Sequence, residues 1–321
     1  VSQGKDIEPA KVIKNYTFNE LADEYEKWCE RQRSYRSKQG FLSQLRGAFG
    51  TLQLRHITTK LIEQFQSERL LKGNKKVKIG VTEWKHLPNT PATVNRLVAT
   101  LKHCIHKAYQ WEMCHEETLK RVRQVKLLPE NNKRLRYLSK KECMTLLSHC
   151  KDYLKPIVMT ALNTGMRKEE ILSLKWDNVD MVHGFISLDR TKNGERREIP
   201  INETLTVTLK GLVRRIDVPY VFHDVSTGKR FKDIKKPFGT AMKKAGIVDF
   251  RFHDLRHTFA SHLVMAGVDI TTVSKLLGHK SLTMTLRYSH LAPDHLSRAV
   301  NVLDITGGNA EETTAQAAGQ K

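Results

Sequence analysis

The sequence predicts a mainly α-helical protein of two domains with one small antiparallel β-sheet. With 321 residues, of which 39% are hydrophobic and 28% charged, the chain has the length and composition of two ordinary globular domains. Apolar residues recur with the 3.6-residue period of a helix through most of the chain, and only residues 184–201 have the pattern of paired strands. A segment rich in proline, asparagine and charge at 129–137 interrupts this periodicity, so we expect it to link the two domains.

The first half is predicted to be helical throughout, over residues 16–128, after a loose polar segment at 1–15. Thr17 and Glu20 have the spacing of a capping box and begin a helix whose apolar residues follow one face. A Thr90-Pro91 pair begins another helix, because proline suits the first helical turn. This helix is predicted at about 92–111, and the pattern predicts further helices at about 38–49 and 60–71.

Six basic residues of this region are candidates for contacts with a polyanion. Four are lysines within the seven residues 72–78, and such a run suits phosphate groups as well as a solvated loop. The other two are arginines of the linker. The candidates are Lys72, Lys75, Lys76, Lys78, Arg134 and Arg136.

The second domain is predicted at 138–304, followed by a tail at 305–321 whose glycine, alanine, threonine and glutamine content is typical of disorder. Ser139 and Glu142 form a second capping box, which begins a helical stretch that ends near residue 165. The periodicity then predicts helices at about 232–246, 255–266, 270–277 and 281–290.

The β-sheet of the second domain is predicted at 184–201. Two runs with strand character, 185–188 and 197–201, flank the Asn193-Gly194 dipeptide, which is favoured in tight hairpin turns. The second domain is therefore expected to be helical, with a small sheet at one side.

Positive charge dominates the composition. The chain has 55 Lys and Arg against 34 Asp and Glu, a formal net charge of +21 and an isoelectric point near 9.8. The excess is +13 over residues 1–137, from 27 basic and 14 acidic residues, and +8 over the remainder, from 28 and 20. Because both halves are basic, we expect both domains to face one polyanion, with nucleic acid ahead of a ribosomal or anionic-lipid surface.

Membrane and exported proteins are disfavoured by the sequence. No apolar run approaches the ~18 to 20 residues of a membrane span, and the N-terminus carries no secretory signal. The five cysteines form no Cys-x-x-Cys motif, which argues against a disulfide framework or a zinc ribbon. The chain begins at Val1 rather than methionine, which leaves room for a further N-terminal domain in the natural protein.

Six side chains of the second domain stand near the ends of predicted elements, where a ligand can reach them. Together they suit attack on a phosphodiester without a metal. Two arginines neutralise the non-bridging oxygens, a tyrosine attacks phosphorus, and a mobile lysine protonates the leaving oxygen. The six are Arg167, Lys192, His253, Arg256, His279 and Tyr288.

Each of these residues also has a purely structural interpretation. Arg167 is spaced to pair with Glu170 one turn later, histidines and arginines commonly cap or solvate helices, and a tyrosine commonly packs in a core. His257 and His262 raise the question of a metal site, but neither a His-Glu-x-x-His pattern nor clustered carboxylates accompany them. The functional interpretation therefore depends on the combination.

Four sequence motifs carry a resemblance to a known family. They are Thr-Gly-Met-Arg-Lys-Glu-Glu at 164–170, His-Asp-Leu-Arg-His-Thr at 253–258, Leu-Leu-Gly-His at 276–279, and Tyr288. In order and spacing over residues 138–290 they resemble the tyrosine recombinases, the family of phage and transposon integrases. The resemblance implies a helical core-binding domain at 16–128 and a mixed α/β catalytic domain, which together form a C-shaped clamp on DNA.

The resemblance also implies which residues hold the phosphate. Arg167 and Arg256 would clamp it, and His279 would donate a hydrogen bond to it. Glu170 would support Arg167 from behind. In this family the motif at 164–170 usually has leucine where this chain has Met166, a change that conserves volume.

The chemical steps are implied in the same way. Tyr288 would be the nucleophile and form a 3′-phosphotyrosyl link, with His253 as its acid/base partner. Lys192 would be the general acid for the 5′-hydroxyl. The covalent link conserves the energy of the phosphodiester, so the resemblance implies rejoining without ATP, a metal or any other cofactor.

The leading hypothesis is therefore a site-specific recombinase of a mobile genetic element. The implied partners are double-stranded DNA, further copies of the chain in a homotetramer and DNA-bending accessory proteins, with the apolar face of 294–304 as a candidate docking segment. We expect the protein in the bacterial cytoplasm, associated with the nucleoid, and expect no membrane partner. The alternatives are a non-catalytic, sequence-specific DNA-binding regulator, a type IB-like topoisomerase and, more remotely, a metal-dependent nuclease.

Overall fold

The computed structural model describes residues 14–32, 34–73, 76–78, 84–130, 135–188 and 197–292. The chain divides into two compact units, Val1–Asn132 and Lys133–Lys321, and the boundary lies within the segment 129–137. Expectations for the Asn193-Gly194 turn, the segment 294–304 and the tail concern residues outside the described ranges. The same holds for the side chains of Lys75, Lys76, Lys78, Arg134 and Lys192.

The first unit is a set of helices around one apolar core. The capping box at Thr17 and Glu20 is confirmed, because each side chain accepts a hydrogen bond from the backbone N–H of the other residue. Thr90 caps the helix that Pro91 begins, also as predicted. The helices are α1 Phe18–Cys29, α2 Tyr35–Phe49, α3 Thr59–Leu71, α4 Pro91–Gln110 and α5 Glu116–Gln124. Each contributes buried apolar residues to the core.

The prediction that this half is helical throughout is wrong. Two short strands, β1 Lys76–Lys78 and β2 Trp84–His86, pair antiparallel with Val77 opposite Lys85. Strands of three residues are too short to show an alternating pattern, and the lysines that dominate β1 are depleted in strands generally. The composition of these strands therefore conceals their pairing from the sequence.

Helix α5 was also missed, because it is short and strongly charged. Glu116 and Glu117 occupy its first turn and Arg121 and Arg123 its last, the arrangement that favours a helix dipole. Its buried apolar side chains, Leu119 and Val122, complete the core of the unit.

Asn95 ties the last described segment of the first unit to α4. The side chain is buried, and its amide both accepts from the backbone N–H of Leu128 and donates to the carbonyl of the same residue, each at 2.8 Å. It also donates to the carboxylate of Glu130 at 2.6 Å. One side chain thereby holds the end of the unit against its longest helix.

The second unit is mainly helical and surrounds a small sheet. Its capping box at Ser139 and Glu142 is confirmed by reciprocal hydrogen bonds. The helical stretch that begins there consists of two helices, separated at 149–154. The helices of the unit are α6 Lys140–Ser148, α7 Lys155–Thr164, α8 Lys168–Leu172, α9 Glu203–Lys210, α10 Lys235–Lys244, α11 Asp254–Met265 and α12 Ile270–Leu277.

The predicted strands at 185–188 and 197–201 do pair. They are β4 Phe185–Leu188 and β5 Arg197–Pro200, antiparallel, with Ile186 opposite Ile199 in the core. A further strand, β3 Val179–Asp180, lies on the other side of β4, so the order is β3-β4-β5. Two residues are too few for a sequence pattern to reveal β3. Strand β5 is the edge that faces the candidate site.

The segment that carries Tyr288 differs from its prediction. Residues 281–290 were expected to form one helix, but they form two 3₁₀ segments, Leu282–Met284 and Leu286–Leu291. The backbone N–H of Thr285 donates to the carbonyl of Leu282, and that of Tyr288 donates to Thr285, both with the three-residue spacing of a 3₁₀ turn. Thr285 itself is fully buried between the two segments.

Two further observations concern both units. Within the described ranges, no helix is both long enough and apolar enough to cross a membrane. The five cysteines carry free thiols, and four of them are buried.

The Asn95 contacts lead to a test of the first unit. In an Asn95→Ala variant both backbone groups of Leu128 lose their partner, so we expect the free energy of unfolding to fall by about 1–3 kcal/mol. Urea denaturation measures this, with Thr100→Ala on the same helix as control, because the Thr100 hydroxyl only bonds Arg96 one turn earlier. Equal stability of the two variants would show that the hydrogen bonds of Asn95 do not stabilise the end of the first unit.

Candidate active site

The turn that ends α12 is the centre of the site. Gly278 adopts a left-handed backbone conformation with φ of 62°, which glycine allows without strain. The carbonyl of Leu277 accepts from Arg256 at 2.5 Å and from Arg197 at 2.9 Å. The carbonyl of Gly278 is 3.5 Å from Nη2 of Arg167. Three arginines from three elements thus meet at one helix end, where the helix dipole is negative.

Arg256 is the most deeply placed of the three. Only 4% of it is exposed, and its second guanidinium nitrogen donates to the carbonyl of Gly165 at 2.7 Å. Burial lowers the pKa of Arg256, and the nearby charges of Arg167 and Arg197 lower it further. A guanidinium starts from so high a pKa that it stays charged at neutral pH.

Arg167 is held by its own helix. It caps α8, and Glu170 one turn later accepts from both its backbone N–H and its guanidinium, each at 2.8 Å. Burial alone raises the pKa of Glu170, but Arg197 and Arg167 more than offset this, so the pKa lies below its ordinary value. Glu170 is therefore an anion within a cluster of cations, with three arginines against one carboxylate.

His279 stands directly after the turn. Its Nδ1 is hydrogen-bonded to the hydroxyl of the buried Thr285 at 2.8 Å. Burial, followed by the charges of Arg256, Arg167 and Arg197, lowers the pKa of His279 to about 4. The imidazole is therefore neutral near pH 7 and can donate or accept a single hydrogen bond on its other side.

Tyr288 is almost completely buried in this conformation, with 1% of its surface exposed. Its hydroxyl lies 2.5 Å from Nδ1 of His257. Burial raises the pKa of Tyr288, and the charges of Arg287 and Arg256 offset part of this effect. The phenol is neutral as it stands, and His257 is positioned to take its proton.

In this conformation the contact of the Tyr288 hydroxyl differs from the one that the sequence interpretation assigns. His253 was expected to partner Tyr288, but the histidine that meets the hydroxyl is His257, one turn further along. His253 stands before α11, and its ring is 5.3 Å from that of His257. Burial, and then Arg256, lowers the pKa of His253, so it is a neutral neighbour of the pair.

Two residues of the site are not among the six side chains that the sequence assigns to it. His257 belongs to the motif at 253–258, but only the position of Tyr288 in space distinguishes it from His253. Arg197 lies in a predicted strand, where an arginine resembles an ordinary exposed residue. Its side chain is nevertheless buried against Glu170 and Leu277. In the sequence Arg197 stands between Arg196 and Glu198, so no local signal distinguishes it from its charged neighbours.

The described candidates for DNA contact differ in their availability. Arg136 forms an ion pair with Glu142 at 2.7 Å and lies over the ring of Phe250, so the fold already uses its guanidinium. Lys72 directly follows α3 and is exposed. Among the described residues, no group of three or more His, Cys, Asp or Glu side chains is arranged to hold a metal ion.

Comparison with known proteins agrees with these motifs. The model of the phage integrase family matches residues 136–295. The integrase of Salmonella phage P22 is 33% identical over 241 residues, which cover 71% of this chain and 61% of that protein. The tyrosine recombinase XerA of Pyrococcus furiosus is 31% identical over 67% of this chain and 77% of its own length. The chain thus spans about three fifths of the phage relative it matches.

Solved structures share the fold at lower identity. A λ integrase dimer bound to a COC′ core site has a TM-score of 0.69 at 20% identity, over 85% of this chain and 77% of that one. The Tn1549 transposon integrase bound to circular intermediate DNA has a TM-score of 0.69 at 18% identity, over 89% and 99%. A λ integrase tetramer bound to a Holliday junction has a TM-score of 0.70 at 19% identity, over 94% and 81%.

The lowered pKa of His279 predicts how stability depends on pH. The unfolded chain binds a proton at this residue below pH ~6.5, whereas the folded chain does so only near pH 4. The neutral imidazole therefore contributes fully to the free energy of unfolding above pH 6.5, and this contribution is lost as the pH falls to 4. The wild type should lose free energy of unfolding between pH 7 and 4.5, and His279→Gln should make this loss smaller by about 1–2 kcal/mol, a figure lowered for the partial exposure of His279. Urea unfolding at the two pH values measures it; identical losses in both proteins would contradict it.

Proposed function

Because this chain belongs to the tyrosine recombinase family, which includes the phage integrases, we propose that it cuts and rejoins DNA at specific sites of a mobile genetic element. The observation that carries the proposal is the convergence of Arg167, Arg256 and His279 on the turn after α12, with Tyr288 on the segment that follows. The three guanidinium groups of Arg167, Arg197 and Arg256, with Glu170 as the carboxylate among them, leave net positive charge where a phosphodiester would bind.

The arrangement supports nucleophilic attack by Tyr288. Its oxygen would bond to the phosphorus of the scissile phosphate while the bond to the 5′-oxygen breaks, leaving a 3′-phosphotyrosyl link. Arg167 and Arg256 would bind the non-bridging oxygens as negative charge develops on them. The neutral His279 would donate a hydrogen bond to the same group. Rejoining reverses these steps, because a 5′-hydroxyl attacks the phosphotyrosine.

Proton transfer completes the reaction. The tyrosine proton would pass to His257, whose Nδ1 already lies within hydrogen-bond distance of the hydroxyl. The leaving 5′-oxygen would take its proton from Lys192, the residue that the motif resemblance assigns to this step. His253, neutral and adjacent to His257, would then hold that ring in orientation, or exchange a proton with it.

Burial of Tyr288 sets a condition on this mechanism. Tyr288 is 1% exposed in this conformation, so the 3₁₀ segment Leu286–Leu291 must shift for its hydroxyl to reach a phosphate. The proposed proton transfer requires that the hydroxyl keep or re-form its contact with His257 after this shift. The hydrogen bond between Thr285 and His279 connects that segment to the arginine site. Phosphate binding at His279 would therefore act on the position of Tyr288.

The proposal extends to partners. The substrate would be double-stranded DNA with specific attachment sites, which fits the net charge of +21. The λ integrase structures, a dimer on a core site and a tetramer on a Holliday junction, support assembly of four copies on two DNA sites. DNA-bending accessory proteins and association with a bacterial nucleoid belong to the same proposal.

A covalent-trapping experiment tests the nucleophile. Nicked, labelled DNA that spans the junctions of the encoding element is incubated with protein in the presence of EDTA, and SDS-resistant adducts are counted. Tyr288→Phe should lose adduct formation by at least about 10³-fold, since a phenyl ring has no nucleophilic oxygen. The matched control is Tyr109→Phe, a change at an exposed tyrosine of the first unit. Tight DNA binding without any adduct would instead favour a binding-only regulator.

A second experiment separates the two histidines. Because His257 contacts the phenol, His257→Gln should slow adduct formation by about 10²-fold, the usual worth of a general base, while the Kd for DNA changes little. His253→Gln should have the smaller effect. The measurement is single-turnover cleavage of the nicked DNA. A larger loss in His253→Gln would restore the sequence-based assignment of His253 as the tyrosine's partner.

A further inference from the structure

Arg197 is placed unlike an ordinary strand arginine. It opens the edge strand β5, yet only 8% of its side chain is exposed. One guanidinium nitrogen donates to the carbonyl of Leu277 at 2.9 Å, and the other donates to the carboxylate of Glu170 at 2.8 Å. The two acceptors are the same two groups that hold Arg256 and Arg167.

We propose that Arg197 is a positioning residue that sets Arg167 and Arg256 in one common geometry, a role that rests on the function proposed above. Through Glu170 it holds the carboxylate that orients Arg167, and through the Leu277 carbonyl it holds the helix end that orients Arg256. The guanidinium has a rigid, planar fork, so two fixed acceptors define its position. Arg197 therefore acts through its neighbours, with no need to touch DNA.

The contacts of Arg197 with the protein are those that a positioning role requires. The two terminal nitrogens donate to Glu170 and Leu277, and Nε is buried without a hydrogen-bond partner among the described residues. The cost of burying this charge is offset by the carboxylate of Glu170 and by the negative end of α12.

Gly278 gives the proposal a second geometric basis. A Cβ atom at this position would lie 2.4 Å from Nη1 of Arg197 and 2.9 Å from its Cδ. Because Gly278 has no side chain, the guanidinium of Arg197 can reach the Leu277 carbonyl. The position therefore requires glycine for two reasons, its positive φ and this close approach. The two residues form one packed unit.

The electrostatic environment of Glu170 supplies a distinctive readout. The charged groups that face it are Arg167 on its own helix, Arg197 on β5 and Arg256 on α11. Burial raises the pKa of Glu170, and the charge of Arg197 is the largest single cause that lowers it, followed by the hydrogen bonds and charge of Arg167. Without Arg197, the carboxylate should take up a proton at a higher pH and release Arg167.

The test compares Arg197→Met and Arg197→Lys with Arg215→Met. Arg215 also donates to one carboxylate and one carbonyl, those of Asp217 and Val225, but lies at the surface. In single-turnover cleavage of nicked DNA, Arg197→Met should be at least about 10-fold slower, with the Kd for DNA within about 3-fold of wild type. Arg197→Lys should recover part of the rate, and Arg215→Met should cleave like wild type.

The pH profile distinguishes positioning from a general loss of structure. The acid limb of the cleavage rate should move to higher pH in Arg197→Met, because protonated Glu170 no longer holds Arg167. A slower variant with an unmoved acid limb, or one whose DNA affinity falls as far as its rate, would overturn the proposal. Wild-type cleavage by Arg197→Met would overturn it as well.

A double variant tests the same geometry through Gly278. Gly278→Ala should slow cleavage in the wild-type background, and should slow it clearly less when Arg197 is already methionine, because the clash with the guanidinium is gone. If Gly278→Ala slows cleavage equally with and without Arg197, the proposed packing between Gly278 and Arg197 is contradicted. Tyr288→Phe run alongside keeps the two proposals apart. If the wild type forms no adduct, the proposed function fails. If adducts form and the Arg197 variants cleave DNA at the wild-type rate, only this inference fails.

Discussion

Repulsion between like charges is the constraint on which the second unit depends. Arg167, Arg197 and Arg256 come together at one helix end, and such a cluster is stable only where fixed acceptors meet each guanidinium. The acceptors are one carboxylate, that of Glu170, and the main-chain carbonyls that the ends of α7 and α12 leave free. The positions of β5, α8 and the two helix ends all serve this arrangement.

The same cluster determines the state of its uncharged neighbours. Burial, combined with a field of several positive charges, keeps His279 and His253 neutral. Burial also leaves the phenol of Tyr288 protonated, although the positive charges act in the opposite direction on its pKa. The site therefore holds charged groups that bind an anion beside neutral groups that exchange protons. This division of roles arises from placement, since histidine and arginine are both basic residues in free solution.

Much of this was readable from the sequence, and the remainder has physical reasons for being hidden. Capping boxes join residues three positions apart, and the Ile186–Ile199 strand pair joins residues 13 positions apart in one short segment, so local pattern predicts both. The contacts of Arg197 join residues 27 and 80 positions apart, which no local pattern encodes. The choice between His257 and His253 depends on how the segment around Tyr288 folds back. The site roles themselves remain predictions.

The acceptors used by Arg256 and Arg197 have a consequence for how this protein can diverge. Leu277 and Gly165 contribute backbone oxygens, which no substitution removes, so side chains that do not pack against these two turns can change without loss of the acceptors. Thr271, Thr272 and Lys275 on α12 are exposed and play no part in holding the arginines. An exposed helix face can thus acquire new surface chemistry while the centre beneath it keeps its shape, which favours evolutionary change in recognition at constant chemistry.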